Sequence, residues 1–252
     1  MRGLTVDRNR PDLGALGAER DPEKFLWKVL PHAARSFAAS IVVLSRDQAM
    51  ASAVAYLYCR MLDTYEDLID DPVICAEELQ KFARRFEGSM DRPASIPEGL
   101  ARDDRDRVYL LLIDRCELID SIYEGFRPEV KDQINFLVRS MADGMVWSTE
   151  AFSSQGGVLL DEEQLATYCR NVIGYPALFT LSQVSDRELT QGAREDAFLV
   201  SEMIQLANVS RDVERDLQRG ISYHPELRPY LGESGYEGES RVAVNRVREQ
   251  YM

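Results

Sequence analysis

Histidine is nearly missing from this chain: of 252 residues only His32 and His224 are imidazoles, and each stands beside a proline. That removes most Ser-His-Asp, Cys-His and zinc-protease schemes, which need an imidazole oriented by a third group. Cysteine is sparse and scattered. Cys59, Cys75, Cys116 and Cys169 form no C-x-x-C pair, so the chain carries neither a disulfide framework nor a zinc site, and its thiols read as reduced core residues. There is no G-x-G-x-x-G and no G-x-x-x-x-G-K-[ST], hence no Rossmann or P-loop phosphate cradle. Long hydrophobic runs are lacking too. The longest, around residues 37–44, falls far short of the roughly 18 residues that cross a bilayer, and the first residues have no apolar signal region. Basic residues are outnumbered, 30 against 43 acidic, for a net charge of −13, which disfavours a nucleic-acid partner. The chain reads as cytoplasmic, at most peripheral to a membrane.

What is present is a soluble globular composition, 45% hydrophobic and 29% charged, long enough to bury a substantial core. Fifteen glycines and ten prolines leave long uninterrupted stretches, and no segment alternates with a strand's period, so the fold class is all-α. Residues 1–20 read as a loose arm and 21–252 as one helical domain around a central cavity. Asp21-Pro22 opens a short helix that Pro31 stops, and a second follows over about 34–44. Ser45 caps a long helix to Leu68, and Pro72 opens one to about Phe86. Three long helices then run over about 103–126, 128–151 and 161–185. Another spans about 191–219 with Gly220 as its stop, an irregular stretch covers 222–238, and a last helical piece ends the chain.

One pattern occurs twice. Arg60, Asp63, Asp67 and Asp71 have offsets 0, 3, 7 and 11, and Gln205, Asn208, Asp212 and Asp216 repeat them 145 residues later. At about 100° per residue each set falls within a roughly 80° arc, a polar stripe some 16 Å long. Carboxylates four apart repel one another unless a cation lies between them. A lone D-x-x-x-D is more often a solvated face, but both stripes here are embedded among apolar neighbours. Mg²⁺ takes oxygen ligands and is usually held by one or two carboxylates plus substrate phosphates. Two facing stripes of this kind make a diphosphate clamp, with Arg60 on phosphate and the amides Gln205 and Asn208 adding ligands without adding charge.

With Ala-Arg-Ser-Phe-Ala at 34–38, Tyr56, Arg60, Asp63 and Asp67 in one motif, Tyr168, Cys169, Val172 and Gly174 in the next, and Gln205, Asn208, Arg211, Asp212 and Asp216 in the last, the chain resembles the squalene/phytoene synthases over about 30–225. The segment Leu-Asp-Thr-Tyr-Glu-Asp at 62–67 looks more like the squalene synthase form. The resemblance implies the class I isoprenoid synthase fold and a prenyltransferase that joins two prenyl diphosphates head to head. The expected substrate is farnesyl diphosphate, giving presqualene diphosphate or squalene. It implies Asp63, Asp67, Asn208, Asp212 and Asp216 as ligands of Mg²⁺, for which Mn²⁺ substitutes. Ser36, Arg60, Gln205, Asn208, Arg211 and Tyr223 would bind substrate, and Tyr168, Tyr56 and Arg60 would act in catalysis. NADPH enters if the intermediate is reduced to squalene, and membrane contact is peripheral, for product release.

The chain also departs from the family pattern. The motif G-R-x-Y-x-P reads Gly220-Ile221-Ser222-Tyr223-His224-Pro225, so its basic residue is missing unless Arg215 or Arg219 replaces it. The last helical piece breaks off at Met252 where family members continue, which implies missing or shortened C-terminal helices. The competing expectations are a phytoene-type reaction on geranylgeranyl diphosphate and an inactive helical scaffold.

Overall fold

The computed structural model describes residues 10–34, 37–88, 90–185 and 187–251, with the backbone alone of Phe37. Twelve α-helices are found among them: α1 Leu13–Ala18, α2 Pro22–Ala34, α3 Phe37–Ile41, α4 Arg46–Leu68, α5 Pro72–Arg84, α6 Asp104–Asp114, α7 Cys116–Glu124, α8 Pro128–Ser154, α9 Glu162–Cys169, α10 Tyr175–Val184, α11 Gln191–Gln218 and α12 Glu239–Gln250. Among the described residues there is no strand, only an isolated bridge between Val158 and Ser222. The chain is all-α, as its composition implies. The chain divides into two compact units, 1–143 and 144–252, with the boundary inside α8; each is described by itself.

In the first unit α4 is the central helix. It starts at Ser45, whose backbone N–H donates to the Gln48 side chain at 3.3 Å, and its apolar face buries Tyr58, Met61, Leu62 and Tyr65. Tyr58 sits edge-on to Phe82, Phe86 and Tyr123, and its hydroxyl donates to Asp120 at 2.8 Å. Arg85, also buried, closes this polar knot with Asp120 at 2.6 Å. Pro31 does not stop α2, which runs on to Ala34. The lost backbone bond is outweighed because residues 29–34 are all buried. Residues 13–18, inside the expected loose arm, are helical. Asp12 caps α1, and the Arg115 guanidinium donates to the carbonyls of Gly17 at 2.6 Å and Glu19 at 2.9 Å. Arg115 also breaks the expected helix 103–126 into α6 and α7, with φ −110° and ψ 24°.

In the second unit the expected helix 161–185 is interrupted by a π-helical turn, Arg170–Gly174, which shifts the register between α9 and α10. Gly174 permits this turn to press on α11, since a Cβ there would lie 2.6 Å from the Phe198 ring. The chain leaving α11 is fastened to the chain leaving α8. Ser222 N–H donates to Gly157 O at 2.8 Å, and Leu159 N–H to Ser222 O at 3.0 Å. Gly157 has φ +83°, and a Cβ on it would stand 2.3 Å from Gly220 O. Gly157→Ala is therefore expected to cost about 2–4 kcal/mol of stability in urea unfolding, from backbone strain and overpacking together. α12 packs on the C-terminal half of α11, where Arg241 and Arg248 both pair with Glu214, at 2.7 and 2.9 Å.

Candidate functional site: two acidic stripes

The first stripe is shorter than the sequence spacing suggests. α4 ends at Leu68, so Asp71 is not on it; its carboxylate instead caps α5, accepting from the N–H groups of Val73 at 2.9 Å and Ile74 at 3.1 Å. What remains on one face is Tyr56, Arg60, Asp63 and Asp67. The Arg60 guanidinium pairs with Asp63 at 3.1 Å and donates to the Tyr56 hydroxyl at 3.0 Å. Burial pushes the Asp63 carboxyl up to about 6; Arg60 opposes this and the charge of Asp67 adds to it. Burial works against the charge of Arg60, but Asp63, with Tyr56 and Tyr109, more than offsets it and raises the Arg60 pKa. Tyr109, on α6, was not legible as a site residue: its ring lies 5.1 Å from the guanidinium carbon. Arg102, bound to Asp106 at 2.7 Å, also feels the charge of Asp67.

The second stripe lies wholly on α11. Asn208 donates to the Gln205 side-chain oxygen at 3.1 Å, which ties the two amides together. Arg211 reaches Asp212 with its Nε at 3.0 Å; this bond, opposed by burial and helped by Arg211 and Arg215 charge, holds the Asp212 carboxyl below the usual carboxylate range. Asp216 is buried. Arg215 thus lies near Asp212, whereas Ile221, at the position of the family's missing basic residue, packs into an apolar cluster with Tyr168, Tyr223, Leu206 and Val209. Within that cluster the Tyr168 and Tyr223 hydroxyls are 3.0 Å apart and their ring centroids 4.8 Å, with Phe152 edge-on to both. Ser36 lies outside the described residues.

A family model described as squalene/phytoene synthase matches residues 30–227. The chain belongs to the squalene/phytoene synthase family. Among its relatives are a squalene synthase of Candida albicans, 29% identical over 206 residues, and the human squalene synthase, 26% identical over 208. A lycopaoctaene synthase of Botryococcus braunii is 30% identical over 208 residues. These matches cover 79%, 81% and 79% of this chain, and 44%, 46% and 43% of the respective relatives. The chain therefore spans less than half the length of the curated relatives it matches. A solved complex of TcSQS with a ligand, BPH1237, superposes with a TM-score of 0.71 at 18% identity, covering 92% of this chain and 67% of that one; it shows the fold.

The donor set suits a hard divalent cation. Among the described residues no three or more Asp, Glu, His or Cys side chains are grouped to hold a metal by themselves, so each stripe supplies at most a carboxylate pair. That is the usual protein share of a Mg²⁺ site completed by phosphate and water. Burial and the neighbouring Asp67 disfavour the charge on Asp63, and an added cation would relieve that by favouring its ionised form.

Proposed function

We propose that this squalene/phytoene synthase family member condenses two prenyl diphosphates head to head, with farnesyl diphosphate as substrate and presqualene diphosphate or squalene as product. The observation that carries the reading is the half-buried Arg60–Asp63 pair beside Asp67, within the span matched by the family model. Its chemistry serves a diphosphate. Arg60 offers a fixed cation to phosphate oxygens, and Gln205, Asn208 and Arg211 offer donors without adding negative charge. Asp63, Asp67, Asn208, Asp212 and Asp216 would hold Mg²⁺, which when bound neutralises the charge of the leaving diphosphate.

The first allylic C–O bond breaks with its electron pair going to diphosphate, and the double bond of the second substrate attacks the cation. Loss of a proton then closes a cyclopropane. Released diphosphate takes that proton, which the hydrogen-bonded Tyr168 and Tyr223 hydroxyls can relay, and Tyr56 presents a further hydroxyl to Arg60. Reduction of presqualene diphosphate to squalene would break its remaining C–O bond, release the second diphosphate and take a hydride from NADPH. We place the protein in the cytoplasm, touching a membrane peripherally to release an apolar product; among the described residues no helix is long and apolar enough to cross one.

Incubation with farnesyl or geranylgeranyl diphosphate, each with and without NADPH, followed by mass spectrometry of extracted products, tests this reading. A C30 product from farnesyl diphosphate supports it. The family's description also covers phytoene synthase, so the phytoene-type condensation of geranylgeranyl diphosphate is the second reading, which a preference for that substrate would support. No product from either substrate, and no Mg²⁺-dependent thermal protection by them, would indicate an inactive scaffold. Activity is expected to require Mg²⁺ or Mn²⁺ and to vanish in chelator, while Zn²⁺ substitutes poorly because the proposed ligands are all oxygens; full turnover in chelator would refute the proposal.

A further inference from the structure

We infer that Tyr109 is a positioning residue for Arg60: a wall from a second helix that holds the guanidinium in place when Asp63 is drawn to a metal ion. The inference rests on the function proposed above. Arg60 is held by contacts of different origin. Asp63 pairs with one terminal nitrogen at 3.1 Å, and the Tyr56 hydroxyl accepts from the other at 3.0 Å. Two rings flank the guanidinium carbon, Tyr109 at 5.1 Å and Tyr56 at 5.8 Å, both within the range of a cation–π attraction. The Nε–H is buried and makes no hydrogen bond among the described residues, so the surroundings of the cation are aromatic more than polar.

These partners do not share one fate on ligand binding. Asp63 is also a proposed metal ligand, and a carboxylate that turns to a divalent cation gives up much of its attraction to a guanidinium. Tyr56 lies four residues before Arg60 on the same helix and travels with it. Tyr109 lies on α6 and is itself almost fully buried, at 8% exposure, so its ring is fixed independently of α4 side-chain motion. A guanidinium held over a fixed aromatic face by cation–π attraction keeps a partner while its carboxylate leaves. Arg60 is thereby preorganised for phosphate oxygens, with less ordering cost when diphosphate arrives.

The test separates the ring's electrostatics from its bulk. Inorganic diphosphate in Mg²⁺ is titrated calorimetrically into the full chain carrying Tyr, Phe or trifluorophenylalanine at position 109, and kcat and KM are measured with farnesyl diphosphate. Phe keeps the π face and is expected to bind within about twofold of wild type. The fluorinated ring has nearly the same shape but a depleted face, and is expected to bind about tenfold more weakly with unchanged Tm, the loss falling on KM more than on kcat. Tyr109→Leu, compared with Tyr109→Phe by the same titration, gives a second route to the same weakening should the fluorinated chain not fold. Equal affinity for the Phe chain and the fluorinated or Leu chain, with wild type binding normally, would reduce Tyr109 to a packing residue and overturn the inference. Failure of wild type to bind Mg²⁺-diphosphate at all would instead overturn the proposed function, and this inference with it.

Discussion

Asp63→Asn and Asp212→Ala each lower turnover by at least about a thousandfold while leaving the helical fold in place. Losing a metal ligand at a leaving diphosphate removes several kcal/mol of transition-state stabilisation, and about 4 kcal/mol is already three orders of magnitude in rate. The structural side effects differ between the two sites. Asp212 pairs with Arg211, whose side chain is 67% exposed, and surface pairs of this kind contribute about 0–1 kcal/mol, so Asp212→Ala should unfold at nearly the wild-type denaturant midpoint. Asp63 neutralises a guanidinium that is mostly buried. Alanine there would leave Arg60 without that carboxylate, which destabilises a buried pair by more than the relief of repulsion from Asp67 restores. Asparagine keeps a hydrogen-bond acceptor for Arg60 and is the cleaner variant. Near wild-type rates for either mutant at limiting Mg²⁺ would mean that the metal ligands are misassigned.

Arg60→Lys retains the fold, raises the substrate concentration needed and lowers the rate; Arg60→Met is worse on both counts by at least a further order of magnitude. The guanidinium reaches Asp63 and the Tyr56 hydroxyl through different nitrogens, a fork that an ammonium cannot reproduce although it keeps the charge. Methionine keeps the bulk between the Tyr56 and Tyr109 rings but loses every charge-assisted bond, each contributing about 1.5–3 kcal/mol. It also leaves Asp63 buried without its cation, so its loss of Tm should exceed that of the lysine variant. Steady-state kinetics with thermal unfolding decide the matter. Equal kinetics for the two variants would make Arg60 a structural partner of Asp63 and leave diphosphate to the metal ions alone.

The sequence by itself determined the helical class, the family and the two polar stripes, because each is a local property. Helical period, the cap at Ser45, Pro72 as the first residue of α5, the left-handed Gly220 after α11 and the order of four motifs are all written in residues close together along the chain. Even there the spacing of Asp71 misled: offset 11 continues the stripe only if the helix does, and α4 ends three residues earlier because Asp71 is committed to capping α5. Tertiary structure alone decided the rest, through contacts between residues far apart in sequence. Arg115 orders residues 17–19 from almost a hundred positions away, burial carries α2 past Pro31, and a glycine pressed on Phe198 accommodates the π-helical turn before α10. The same holds at the candidate site. Tyr168 meets Tyr223 across 55 residues because the Ser222–Gly157 bonds fasten the two connecting segments. Tyr109 meets Arg60 because α6 packs on α4. A motif specifies which groups share one helix face, but the partner that a neighbouring helix brings to that face depends on packing, which no local spacing encodes.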